Sequence, residues 1–223
     1  MTPTSYEAVI FDLGGVVLPS PFEAWADYER ELGLPVGFIR RVVAESGDHG
    51  AWARHERGEL SFEEFIEAFQ AECAAAGGHH VSGLEVMMRL LSRPEPRPEM
   101  LDAIRAIRDV GLRTAALTNN WASPSDEERR VDLMAPLFDV VVESSVEGLR
   151  KPDPRIYLLT CERLGVEPEA AVFLDDLGVN LKPARELGMT TIKVVDPTEA
   201  LAELGAVLGL PLAPSKVDPW TSS

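Results

Sequence analysis

Thiols are scarce in this chain: Cys73 and Cys161 are its two cysteines in 223 residues. Two cysteines make no disulfide framework, and both fall in segments that read as helical. The expectation is two reduced, partly buried thiols. Positive charge is scarce as well. Twenty-one basic side chains face 37 acidic ones, a formal net charge of −16. A nucleic-acid binder shows a basic face, and a membrane-surface helix wants a Lys/Arg-rich polar side. Neither is present, so neither nucleic acid nor membrane is expected as a partner. No apolar run approaches the ~18 residues of a membrane span. The stretch Ala8 to Leu18 is cut by Asp12 and lacks a basic leader, unlike a signal peptide. A soluble cytoplasmic protein is expected, and no pattern specifies an oligomeric state.

What is present is an ordinary globular composition, 45% hydrophobic, in a length that suits one large domain or a core with an insertion. Tyr6 to Phe11 reads as a buried strand. From Pro21 to about Ser92 the pattern is helical. There Ser61 and Glu64 fit a capping box, followed by Phe62, Phe65, Ile66 and Phe69 on one face. Three prolines between Arg93 and Pro98 break the pattern. Strands and helices then alternate. Leu112–Leu117, Phe138–Val142, Ala170–Leu174 and Thr190–Val195 read as strands. Helices run through Leu101 to Ile107, from an Asp153 N-cap with Pro154 at N1 to Gly165, through Leu181 to Leu187, and over Thr198–Leu208. Such alternation predicts an α/β fold with a mostly parallel sheet covered on both faces and one roughly 70-residue helical insertion after the first strand. The expected division is a core over 1–18 and 94–210, a cap over 19–93 and a loose tail over 211–223.

Ligands of such sheets bind at the carboxyl ends of the strands. Polar residues stand at each of these ends: Asp12 with Gly14-Gly15, then Thr118-Asn119-Asn120, then Lys151-Pro152-Asp153-Pro154, then Asp175-Asp176. A carboxylate can attack phosphorus and form an aspartyl-phosphate, which water then hydrolyses. Phosphoryl transfer chiefly needs positioning and charge neutralisation. Asp12 is then the nucleophile, Thr118 and Asn119 hydrogen-bond phosphoryl oxygens, and Lys151 neutralises developing charge. Asp176, with Asp12, holds Mg²⁺, a hard cation that prefers oxygen ligands. Each piece alone reads more readily as a turn, cap, surface junction or solvated helix start. It is their common place after four strands that favours chemistry.

These motifs resemble the haloacid dehalogenase superfamily of hydrolases: Asp12-Leu13-Gly14-Gly15-Val16, Leu117-Thr118-Asn119, Lys151-Pro152-Asp153-Pro154 and Phe173-Leu174-Asp175-Asp176. The stretches Val142-Glu143-Ser144, Arg155-Ile156-Tyr157 and Phe173 through Gly188 look more closely like two relatives. These are the amino-terminal phosphatase domain of soluble epoxide hydrolases and the hydrolase domain fused to some acyl-CoA dehydrogenase-like proteins. The resemblance spans Val9 to about Leu208. It implies a Rossmann-like core, a helical cap over the site, and Mg²⁺ held by Asp12, the Gly14 carbonyl and Asp176. Asp175 and Asn180 are expected behind these ligands. The implied substrate is a small phosphorylated metabolite.

Two positions depart from the pattern. Phosphatases of the family usually carry a second Asp where this chain has Gly14; that Asp protonates the leaving alcohol, help worth about 10²–10⁴-fold. Asn180 stands where many relatives have another acid, and capping the helix at Leu181 is its simpler reading. His49 and His55 could supply the missing proton, but exposed cap positions are expected. His79-His80 reads as a loop rather than a metal site. Trp121 suits a pocket wall or a cap contact equally. Arg54 and Arg57 could read a second anion, although a solvated helix face is expected. Two other functions compete: a metal-independent 2-haloacid dehalogenase using Asp12 on carbon, and a weakly active module that binds phosphate or Mg²⁺ for regulation.

Overall fold

The computed structural model describes residues 6–91, 95–121, 131 and 134–212. Five parallel strands form its centre: β1 (Ala8–Phe11), β2 (Arg113–Thr118), β3 (Val140–Glu143), β4 (Ala171–Asp175) and β5 (Thr190–Lys193), in the order β3-β2-β1-β4-β5. Every residue of β1 and β4 is buried, which explains their unbroken apolar runs. Side chains alternate between faces. Val9, Phe11, Val172 and Leu174 enter one core with Ile104, Ile107 and Leu201, while Ala8, Ile10, Ala171 and Phe173 enter the other with Ile156, Tyr157 and Leu181.

Helix α6 (Pro98–Asp109) precedes β2. A short α7 (Ser144–Glu147) follows β3, and α8 (Pro154–Leu164) starts at an Asp153 N-cap whose side chain accepts from Arg155 N. Helix α9 (Gly178–Glu186) follows β4, and α10 (Pro197–Leu208) closes the chain behind an Asp196 N-cap. Strand ends lie within two residues of those expected. Of the expected tail, residues 211 and 212 are described. Leu212, 8% exposed, joins the first core, because the chain turns back after Gly209 and Leu210 N donates to Gly205 O. Residues 213–223 lie outside the described ones.

Between β1 and α6 the chain builds α1 (Pro21–Leu32), α2 (Phe38–Ser46), α3 (Ala51–Glu56), α4 (Phe62–Gly77) and α5 (Gly83–Leu91). These have their own core, including Trp25, Phe38, Trp52, Phe65, Phe69 and Met87. The capping box is present on α4, with Ser61 Oγ accepting from Glu64 N and Glu64 Oε2 from Ser61 N. Of the aromatic face, Phe65 and Phe69 are fully buried, while Phe62 and Ile66 are partly so. Cys73 and Cys161 are free and buried, and burial pushes their thiols up, to about 12 and about 11. Among the described residues no helix is long and apolar enough to cross a membrane.

Candidate active site

The strand order reverses at β1 and β4, the place where α/β sheets open a crevice for ligands. Phe11 is paired with Leu174, so the residues that follow, Asp12 and Asp175, come out side by side. Asp12 N donates to Leu174 O at 2.9 Å. Among the described residues, Asp12, Asp175 and Asp176 form the group of candidate metal ligands, each with one carboxylate oxygen within 4.8 Å of the others. Among the described residues the histidines join no such group.

Lys151 lies between the first two of these carboxylates. Its Nζ is 2.8 Å from Asp12 Oδ1 and 2.7 Å from Asp175 Oδ2, with 1% of the residue exposed. Burial by itself would lower the ammonium's pKa, but the Asp12 and Asp175 charges outweigh it and hold it above its ordinary value. Burial raises Asp12 well above the usual carboxylate range; Lys151 opposes the shift and Asp175 adds to it. Asp12 Oδ1 also accepts from Leu13 N at 2.7 Å. Both bonds fall on Oδ1, and Oδ2 has no partner among the described residues.

Asp175 is saturated. Oδ1 accepts from Leu177 N, Oδ2 from Lys151 Nζ, and the Asn180 amide lies 3.1 and 3.0 Å from the two oxygens. Asn180 is therefore no cap: it is buried inside α9, its side chain fixing Asp175 and its carbonyl accepting from Tyr157 OH at 2.7 Å. Asp176 is half-buried and pushed up to about 6 by burial and the Asp175 charge. A Cβ on Gly15, whose φ is 84°, would lie 2.4 Å from Asp176 Oδ2, so the close approach of the first and last motifs needs glycine there. Gly14 has no such requirement; its Cβ would meet Pro21 Cδ at 3.8 Å.

Thr118 is buried and its hydroxyl makes one long contact, 3.5 Å to Asn119 O. Asn119 borders the cavity, and its side chain bonds the main chain of Lys151. Its Oδ1 accepts from Lys151 N at 2.8 Å and its Nδ2 donates to Lys151 O at 3.0 Å. The Lys151-Pro152 peptide is cis.

A cavity of about 870 Å³ opens over these groups. Asp12, Thr118, Lys151 and Asp176 lie at its polar end, and Phe22, Trp25, Trp52, Trp121, Leu18 and Leu90 supply much of its apolar wall. Trp121 is both wall and cap contact, 5.9 Å from Trp52 ring to ring. His55 is not exposed. It is 3% exposed, stacked on Phe65 at 4.5 Å, with Nδ1 3.0 Å from Leu60 O. Its segment folds as the short α3, whose inner face meets the aromatic cluster. His49 is exposed, and neither histidine lines the cavity. Arg57 and Arg54 pair with Glu59. The sequence reading missed two cavity cations, Arg40 and Arg150. Arg150 Nε donates to Glu56 Oε2 at 2.7 Å, tying the strand-end loop to α3; its position next to Lys151 was the available signal.

The haloacid dehalogenase-like hydrolase model matches residues 6–188. The chain is 45% identical over 210 residues to Acyl-CoA dehydrogenase family member 10 of Mus musculus, covering 93% of this chain and 20% of that protein. It is 39% identical to Bifunctional epoxide hydrolase 2 of Sus scrofa, covering 96% and 41%. It thus spans less than half the length of both. Phosphorylated carbohydrates phosphatase of Thermotoga maritima is 30% identical, with 90% and 92% covered. Among solved structures, a HAD-like hydrolase from Porphyromonas gingivalis has a TM-score of 0.64 at 26% identity, covering 89% of this chain and 97% of that one. A HAD family enzyme from Bacteroides thetaiotaomicron, in complex with magnesium and inorganic phosphate, shares the fold with a TM-score of 0.56 at 21% identity, covering 85% and 94%. The chain belongs to the haloacid dehalogenase-like hydrolases and is a hydrolase by family.

Proposed function

We propose that this hydrolase is a magnesium-dependent phosphatase of small phosphate monoesters with an apolar organic group, acting through an aspartyl-phosphate on Asp12. The observation that carries the reading is the state of Asp12. One oxygen is held by Lys151 and Leu13 N, and the other has no partner among the described residues, at the polar end of a roofed cavity. In the first step Oδ2 attacks phosphorus, the ester P–O bond breaks, and its electron pair leaves with the alkoxide or phenoxide, which takes a proton from solvent. In the second step water attacks the same phosphorus, the P–O bond to Asp12 breaks, and the carboxylate returns as phosphate departs. Lys151 has three donors and spends two on carboxylates, so the third is available to a phosphoryl oxygen. Thr118 contributes a hydroxyl.

Asp12, the Gly14 carbonyl and Asp176 are an all-oxygen donor set suited to Mg²⁺, which when bound would screen Asp12 from the phosphate dianion. Asp175 stays behind, engaged by Lys151 and Asn180. Residues 19–93 are read as the cap over a core of 1–18 and 94–210. The apolar walls favour aryl or branched esters. The relative from Thermotoga maritima is named for phosphorylated carbohydrates, so sugar phosphates belong in the test.

A panel of aryl, alkyl and sugar phosphates, with a 2-haloacid as control, run in Mg²⁺ and in EDTA, tests this. The expected result is Mg²⁺-dependent release of phosphate, lost in Asp12→Asn, with a phosphoenzyme seen by mass spectrometry on rapid acid quench. Dehalogenation in EDTA, or hydrolysis that survives Asp12→Asn, would overturn it. Gly14 favours slow turnover, and phosphate binding without any hydrolysis would leave the regulatory module instead.

A further inference from the structure

Among the described residues three cations line the cavity: Arg40, Arg150 and Lys151. Two are committed. Lys151 is held by Asp12 and Asp175, and Arg150 by Glu56 at 2.7 Å and Asp48 at 3.3 Å. Arg40 has no carboxylate partner among the described residues. Its guanidinium lies over the Phe22 ring, 4.5 Å from the centroid. A guanidinium held over an aromatic ring keeps N–H groups for contacts with an oxyanion.

The local backbone holds Arg40 in place. Glu29, 3% exposed, accepts from Gly37 N at 2.6 Å and from Ile39 N at 2.7 Å. That carboxylate occupies the N-terminus of α2, where its charge and the free amides complement each other. Arg40 is the next residue along. Arg40 and Asp176 both border the cavity.

Three carboxylates against one ammonium leave the strand ends negative in a chain of net charge −16. A divalent cation offsets that, but a phosphoryl dianion brings two further negative charges. We propose that Arg40 binds the phosphoryl group of the substrate from the inserted helices, while Lys151 holds it from the strand ends. This rests on the phosphatase reading and adds a specificity residue to it.

Orthophosphate binding measured by calorimetry in Mg²⁺, together with kinetics on p-nitrophenyl phosphate, tests the assignment. Arg40→Met is expected to weaken orthophosphate binding and raise KM by about 10–100-fold, the scale of a charge-assisted contact, with a smaller change in kcat. Arg40→Lys should restore part of the loss. Arg41→Met is the control: Arg41 stands on the same helix over Phe38 and near Glu45, outside the cavity lining, and both constants should hold. Orthophosphate binding unchanged in Arg40→Met would overturn the proposal. So would a defect confined to substrates with a second anionic group. The phosphatase reading fails separately. If the wild type binds orthophosphate through Arg40 yet hydrolyses no ester, the assignment stands without that function. If the wild type binds no orthophosphate at all, both fall.

Discussion

Asn119 holds Lys151 by both of its main-chain polar groups, accepting from its N–H at 2.8 Å and donating to its carbonyl at 3.0 Å. The end of β2 thereby fixes the loop that carries the buried ammonium. Asn119→Ala should cost about 1–3 kcal/mol for the bonds left unmade and lower kcat about tenfold or more, with little change in KM. Urea denaturation and steady-state kinetics check both. A raised KM at unchanged kcat would return Asn119 to direct contact with substrate.

Lys151 itself separates Asp12 from Asp175. Lys151→Met keeps much of the stem and leaves two buried carboxylates without their cation. A loss of about 3–5 kcal/mol is expected, the range for breaking a buried pair, with a rate loss of roughly 10²-fold or more. A variant as stable and active as the wild type would remove Lys151 from the site.

Adjacent glycines should answer differently to substitution. Gly14→Asp is expected to fold, since its φ is not in the left-handed region and its Cβ meets only Pro21 Cδ at 3.8 Å. Without that acid, rates should fall steeply as the leaving group's pKa rises, aryl esters leading alkyl esters by up to ~10²–10⁴-fold. Gly14→Asp should flatten this dependence. Gly15→Ala should abolish activity, because a Cβ 2.4 Å from Asp176 Oδ2 displaces that carboxylate. A plot of log kcat/KM against leaving-group pKa for wild type and variants decides.

The proposed metal requirement has a readout that does not need turnover. Mg²⁺ should raise the melting temperature of the wild type, and EDTA should reverse the rise. Asp176→Asn should lose most of the shift while keeping the fold. An equal shift in wild type and variant would place the ion elsewhere.

His55 supplies a pH dependence. Burial holds its pKa below the ordinary 6.5, so the folded chain keeps it neutral where the unfolded chain takes up a proton. Its contribution is present above about 6.5 and is lost as pH falls through that value toward the folded pKa. Urea midpoints should fall more between pH 7.5 and 5.5 in the wild type than in His55→Gln. Equal falls would show that other groups carry the acid sensitivity.

The layered fold was readable in the sequence because parallel strands buried on both faces must be apolar throughout, as in Ala8–Phe11 and Ala171–Leu174. Prolines, glycines and caps such as Asp153-Pro154 punctuate helices by local backbone chemistry. Asp12, Thr118, Lys151 and Asp176 were readable for a related reason: in a parallel sheet every such strand end faces one edge.

Other roles depend on partners distant in sequence. Asn180 looks like a helix cap until Asp175 is seen 3.0 Å from its amide. His55 looks exposed on a short segment until Phe65 and Trp121 stack against it. Asn119 braces Lys151 because a residue 32 positions away lies beside it, and Arg40 borders the cavity because α2 folds back over the strand ends. The sequence by itself determined the elements, their order and the polar residues at the strand ends, since periodicity and local caps are written along the chain. Tertiary structure alone decided which oxygen of Asp12 lacks a partner and which cavity cation lacks a carboxylate among the described residues, and which glycine has room for a side chain, because each depends on atoms that only packing brings within a few ångströms.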